Sequence, residues 1–137
     1  MSIQWRRQLS VDNGRIDRDH KTLIEIINRF ENEKSLHGAK SVLQDLKKYT
    51  EMHFETEEKL QKAIAYPFAE AHAKAHRQLS RDLEKISDHY SAAVDNKSIS
   101  AARSEMVGLL HDWLINHIIK EDLLMCPYGK RLRDKQE

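Results

Sequence analysis

Cysteine is nearly absent. Cys126 stands alone, so no internal disulfide can close, and a reducing cytoplasm is the expected compartment. Glycine occurs four times and proline twice, which leaves little of the strand-and-turn punctuation that all-β domains need. No apolar run is long enough for a signal peptide or a membrane span. Neither charge sign dominates: 23 basic residues face 22 acidic ones for a formal charge of +1, without a dense basic cluster. Composition therefore predicts neither nucleic acid nor an anionic membrane as partner. Internal repeats in the roughly 20–50 residue range and low-complexity segments are also missing.

What remains is a chain of 137 residues, 39% hydrophobic and 33% charged, which fits one domain with a substantial core. The few breaks are regularly spaced. Asp12-Asn13-Gly14 is a turn signal, and Asp17 can cap a helix starting just after it. Further breaks fall at Ser35–Gly38, Tyr66-Pro67, Asp95–Ser98, and Cys126-Pro127 with Gly129. Between them lie four stretches with apolar residues in steps of three and four. They run through His20, Leu23, Ile24, Ile27 and Phe30; Leu43, Leu46, Tyr49, His53, Glu57, Leu60 and Ile64; His72, His76, Leu79, Leu83, Ile86 and Tyr90; and Met106, Leu110, Trp113 and His117. Such steps put residues on one face of a helix. The expected fold is all-α: an up-down-up-down antiparallel four-helix bundle with a non-helical N-terminal arm. A single domain spans 1–137, with arm 1–16, bundle about 17–126 and a solvated polar tail 127–137. Trp5 and Leu9 are expected to anchor the arm.

Ionisable residues sit on those apolar stripes: His20, His53, Glu57, His72, His76 and His117, with Asp122 beside them. Buried ionisable groups are costly unless paired or ligated. In an up-down bundle the start of the first and third helices lies at the same end as the finish of the second and fourth. All seven residues therefore converge at one end, at similar depth. The His53/Glu57 and His72/His76 pairs are each one turn apart on a single face. Seven donors are too many for one tetrahedral zinc. They suit two five- or six-coordinate ions sharing carboxylates, and imidazole with carboxylate and no thiolate favours iron or manganese. One spacing resists regular geometry. The step of five from His117 to Asp122 leaves the narrow face, so either Asp122 reaches round from the helix end or a π-type bulge corrects the phase. Periodicity alone would sooner select Glu121.

The chain resembles the hemerythrins, and more closely the single-domain bacterial members. The matching stretches are Ile16-Asp17-Arg18-Asp19-His20, His53-Phe54-Glu55-Thr56-Glu57-Glu58, Tyr66-Pro67 with His72 and His76, and Trp113-Leu114-Ile115-Asn116-His117-Ile118 with Asp122. Trp5 and Val11–Gly14 match the family's amino-terminal arm more loosely, and the likeness extends to about residue 127. It implies two iron ions with a bridging oxo or hydroxo group. By that resemblance His72, His76 and His117 ligate one iron, His20 and His53 the other, and Glu57 and Asp122 bridge them. The open position on the two-histidine iron takes dioxygen reversibly. Leu23, Phe54, Trp113, Leu114 and Ile118 are candidates for lining an apolar oxygen pocket. Two departures stand out: Lys59-Leu60-Gln61 replaces a frequent leucine-methionine pair, and Asp12 stands where glycine is common.

Oxygen binding for storage, delivery or sensing is the first expectation, with no catalytic residues assigned. The alternatives are a di-iron peroxidase, oxidase or nitric oxide reductase, and a signalling module acting on a protein partner. His37, His89 and His111 lie off the stripes and read as surface residues, and Cys126 reads as a plain thiol.

Overall fold

The computed structural model describes residues 3–92 and 96–136; the side chains of Leu36, residues 96–99, Ala102 and His117 lie outside that description. Three long helices, α1 (Arg15–Asn32), α2 (Leu36–Ala63) and α3 (Ala69–Ser91), are followed by α4 (Asn96–Asp112). The last continues through a π-helical segment, Trp113–Ile119, into α5 (Lys120–Leu123), so that α4, the π segment and α5 make one fourth member. Neighbours in sequence are neighbours in space, and α4 closes back onto α1. This is the antiparallel four-helix bundle that the stripes predict. The break expected at Asp95–Ser98 falls partly outside the described residues.

The connections follow from local chemistry. Ser35 caps α2, its hydroxyl accepting from Gly38 N at 3.0 Å. α2 ends in a Schellman arrangement: Tyr66 N donates to Gln61 O, and Ala65 N to Lys62 O. That motif needs a left-handed residue, and Ala65 supplies it at φ 53° where glycine is usual. Pro67 then prevents the helix from continuing.

At the amino end, Asp12 does the capping assigned above to Asp17. The Asp12 carboxylate accepts from Gly14 N, Ile16 N and Asp17 N, and α1 starts at Arg15. Asp17 instead reaches back to the arm, accepting from Ser10 Oγ, Val11 N and Asn13 N. Ile3, Trp5 and Leu9 pack on the core. Ile3 exchanges two hydrogen bonds with Asn28, and Lys21 Nζ sits 4.3 Å over the Trp5 ring.

The tail reading is corrected. Cys126–Tyr128 forms a 3-10 turn and Gly129–Asp134 a short helix, α6, that buries Leu132 completely. The sequence signal was hidden because one leucine among five charged residues carries the docking. Arg133 and Gln136 hydrogen-bond Asp12, and Gln136 also accepts from Arg15 N. A Cβ at Gly129 would lie 2.9 Å from Val11 O, so this close approach requires glycine.

Two apolar clusters result. The larger one fills most of the bundle, from Phe30 and Tyr90 at one end to Leu23, Phe54, Leu79 and Ile119. The smaller one joins Val11, Ile16, Ile64, Tyr66, Met125 and Leu132. On every helix the odd polar residues lie between members of the two: His20 between Ile16 and Leu23, Glu57 between Phe54 and Ile64, Asp122 between Ile119 and Met125. The ionisable layer is thus closed above and below by hydrocarbon.

Candidate metal centre

That layer is dry. His20, His53, Glu57, His72, His76 and Asp122 are each no more than 5% exposed. Their donor atoms form two groups, each within 4.8 Å: His20, His53, Glu57 and Asp122, and Glu57, His72, His76 and Asp122. Glu57 and Asp122 belong to both. One structure therefore brings together six of the seven residues singled out from the sequence. His117 lies on the π segment, and its side chain is outside the described residues.

Each shared carboxylate divides its two oxygens between the groups. Asp122 Oδ2 is 2.7 Å from His20 Nε2 and 3.4 Å from His53 Nε2, while Oδ1 is 2.9 Å from His72 Nε2. Glu57 Oε1 is 2.7 Å from His72 Nε2 and 3.0 Å from His76 Nε2. Glu57 Oε2 is 3.1 Å from His53 Nε2 but outside hydrogen-bond geometry, so this fully buried oxygen has no hydrogen-bond partner among the described residues. Neighbouring ligands at right angles around an ion about 2.1 Å away are about 3 Å apart, so these spacings fit a shared cation. A cation would also satisfy Glu57 Oε2.

The electrostatics point the same way. Burial, the largest influence, acts against ionisation everywhere here, yet the pairings override it. Hydrogen bonds from His20, His53 and His72 hold Asp122 well below the usual carboxylate range. Glu57 is lowered despite burial and the Asp122 charge, because His53 and His72 face it. His53 is raised well above an ordinary imidazole by Glu57, Asp122 and Asp19. His72 is pushed up to about 10 by Asp122 and Glu57. A divalent cation would compete with the protons on His53 and His72, since imidazole must be deprotonated to ligate.

The π segment accounts for the awkward spacing. Its i→i+5 hydrogen bonding widens the turn, so the fourth member delivers Asp122, rather than Glu121, into the layer. Of the two alternatives the sequence left open, the bulge is the one observed.

Two polar residues around the layer escaped the sequence reading. Asp19 is 3% exposed and accepts from His53 Nδ1 at 3.0 Å. Glu58 accepts from His76 Nδ1 at 3.1 Å and is 36% exposed. The signal for Asp19 was available: it lies on the α1 stripe, three residues after Ile16 and four before Leu23, where an acid needs a partner. Glu58 gives no such signal. The departures are placed as well. Gln61 is fully buried, donates to Met125 Sδ at 3.2 Å and leaves its carbonyl without a hydrogen-bond partner among the described residues.

Leu23, Phe54, Trp113, Leu114 and Ile118 are all buried in the larger cluster. Phe54 stacks on His76 at 3.9 Å, and Trp113 Nε1 donates to Leu79 O. His37 and His89 are exposed. His111 is a correction: it is half-buried, with Nε2 3.5 Å from Glu31 Oε2. Cys126 is exposed, its thiol donating to Ser10 O. No helix among the described residues is long and apolar enough to cross a membrane.

Comparison with known proteins agrees with this geometry. The family model of the hemerythrin HHE cation binding domain matches residues 12–128. A bacteriohemerythrin of Pseudomonas aeruginosa (strain LESB58) is 32% identical over 123 residues, covering 88% of this chain and 76% of that protein. A bacteriohemerythrin of Stenotrophomonas maltophilia (strain R551-3) is 28% identical over the same shares. One from Campylobacter jejuni (strain 81-176) is 27% identical over 124 residues, covering 88% of this chain and 90% of its own. With its four helices converging on a shared-carboxylate cation site, the chain belongs to the hemerythrin HHE cation-binding family.

Proposed function

We propose that this chain binds dioxygen reversibly at a di-iron centre, for oxygen storage, delivery or sensing in a reducing cytoplasm. The observation that carries the reading is the pair of histidine groups joined by two common carboxylates, Glu57 and Asp122. In this reading His20 and His53 hold one iron, and His72, His76 and His117 the other. Two ferrous ions held there would supply the electron pair for reversible dioxygen binding.

The chain's own residues do the rest. Glu57 and Asp122 each turn one oxygen toward His20 or His53 and the other toward His72, and would thereby hold the two ions side by side. Leu23, Phe54, Trp113, Leu114 and Ile118 exclude water from the layer, which slows loss of the reduced state. Neutral imidazoles outnumber carboxylates, so high-valent iron is stabilised less than in carboxylate-rich oxidases. That favours binding over turnover, and no residue is assigned a catalytic role.

The test is a visible spectrum of the iron-loaded, anaerobically reduced protein before and after air. A charge-transfer band that appears in air and fades under vacuum is expected. Direct conversion to a ferric spectrum, with catalytic consumption of a reductant, would replace this reading with a peroxidase, oxidase or nitric oxide reductase. Oxygen-dependent capture of a protein partner would make the centre a sensor.

A further inference from the structure

We infer that Asp19 is a positioning residue of the metal centre, fixing the His53 ring and strengthening its Nε2 as a ligand; this rests on the two-ion reading above. His53 is wholly enclosed, and its two nitrogens face opposite ways. Nε2 looks toward Glu57 Oε2 and Asp122 Oδ2, and Nδ1 donates to Asp19 Oδ2 at 3.0 Å. The other Asp19 oxygen is held in turn. Oδ1 accepts from Tyr49 OH at 3.0 Å and from Arg15 Nε at 3.3 Å. One oxygen therefore orients the ring while the other is clamped from α2 and from the start of α1.

The arrangement does more than fill a gap. A carboxylate on the far nitrogen of an imidazole fixes the tautomer and ring angle, and raises the basicity of the ligating nitrogen. A freely rotating acid could do neither, and the Tyr49 and Arg15 contacts remove that freedom. The neighbouring ring shows the contrast. Among the described residues His20 Nδ1 is buried with no hydrogen-bond partner, whereas His53 has a carboxylate behind it.

A purely structural ion pair would change folding stability and nothing else, so the test reads the metal. Ferrous iron is titrated anaerobically into the full chain, and the visible spectrum and reduction potential of the loaded protein are recorded for wild type, Asp19→Asn and Tyr49→Phe. Asn keeps the size of the side chain and removes its charge. The expected result is a roughly 10–100-fold loss of iron affinity in Asp19→Asn, with a shifted spectrum and potential. Tyr49→Phe should move both in the same direction by less, and it reads the same coupling should Asp19→Asn fail to fold. Wild-type affinity, spectrum and potential in the variants that fold, with only a lowered melting temperature, would overturn the inference while the two-ion reading stands. A wild-type chain that takes up fewer than two ions would overturn the reading beneath it.

Discussion

The two halves of the centre use the same residue types and differ in what stands behind them. His20 and His53 belong to the closed half. Their side chains have no exposure, and the carboxylate behind His53 is 4% exposed and clamped by Tyr49 and Arg15. His72 and His76 belong to the half that touches solvent. The carboxylate behind His76 is Glu58, 36% exposed, and it lines a surface groove of about 350 Å³ with Phe54, Lys59, Lys62 and His76 itself. Donor chemistry thus fixes what can bind, while the second layer decides how firmly a ring is held and how near water comes. In the proposed reading dioxygen would bind on the His20/His53 half, the closed one, where exclusion of water matters most.

The strongest way to break this comparison is to remove what the halves share. Glu57→Ala should lose both ions and destabilise the metal-free bundle by about 3–5 kcal/mol, because buried imidazoles lose their counter-charge. Glu58→Ala should keep two ions; equal metal content in the two variants would remove Glu57 as a bridge. Next comes the apolar floor. Leu132→Ala should cost about 2–5 kcal/mol in thermal melts and speed amide exchange around Ile16 and Met125; an unchanged melt would mean that α6 does not seal the layer.

Acidity offers a third handle. In chelator-treated protein His72 keeps its proton to about 10 when folded and to the ordinary imidazole value of 6.5 when unfolded. Its contribution is therefore complete below 6.5 and lost as pH rises through about 10. Asp122 and Glu57 are lowered on folding, so theirs is present above about pH 4 and lost on acidification. Stability of the metal-free chain should peak in mildly acidic solution, and iron affinity should rise with pH as protons cease to compete. A melting temperature that rises from pH 6.5 to 10 would contradict the pairing.

Smaller effects refine the contrast. Glu58→Gln should weaken iron binding by no more than about fivefold, as expected for a solvent-screened pair, well short of Asp19→Asn. Loss of equal size would erase the difference between the halves. Ala65→Gly should relieve the left-handed strain and raise stability by at most about 1 kcal/mol, with iron content unchanged.

Much of this was legible in the sequence because helices write their buried face in steps of three and four. His20, His53, Glu57, His72 and His76 sit in phase with leucines and isoleucines, and the topology of a four-helix bundle gathers them. Asp122 was out of phase, and only the resemblance selected it over Glu121; the π segment that reconciles it is not encoded in a regular period of three and four. α6 was missed for a different reason. Its burial depends on Leu132 alone and on long-range bonds to Asp12, so its local composition reads as solvated. Asp12 and Asp17 exchanged roles because both are acids near a helix start, and which one caps depends on where Gly14 turns. Asp19 lay within the Ile16–His20 stretch, yet its purpose needed the distance to His53 Nδ1.

The most direct test of the account is an anaerobic ferrous iron titration of the wild-type chain beside Asp122→Asn. Two shared carboxylates predict an end point of two ions per chain in the first and loss of both in the second. An end point of one ion, or an Asp122→Asn chain that still takes up two, would contradict a centre built on shared carboxylates.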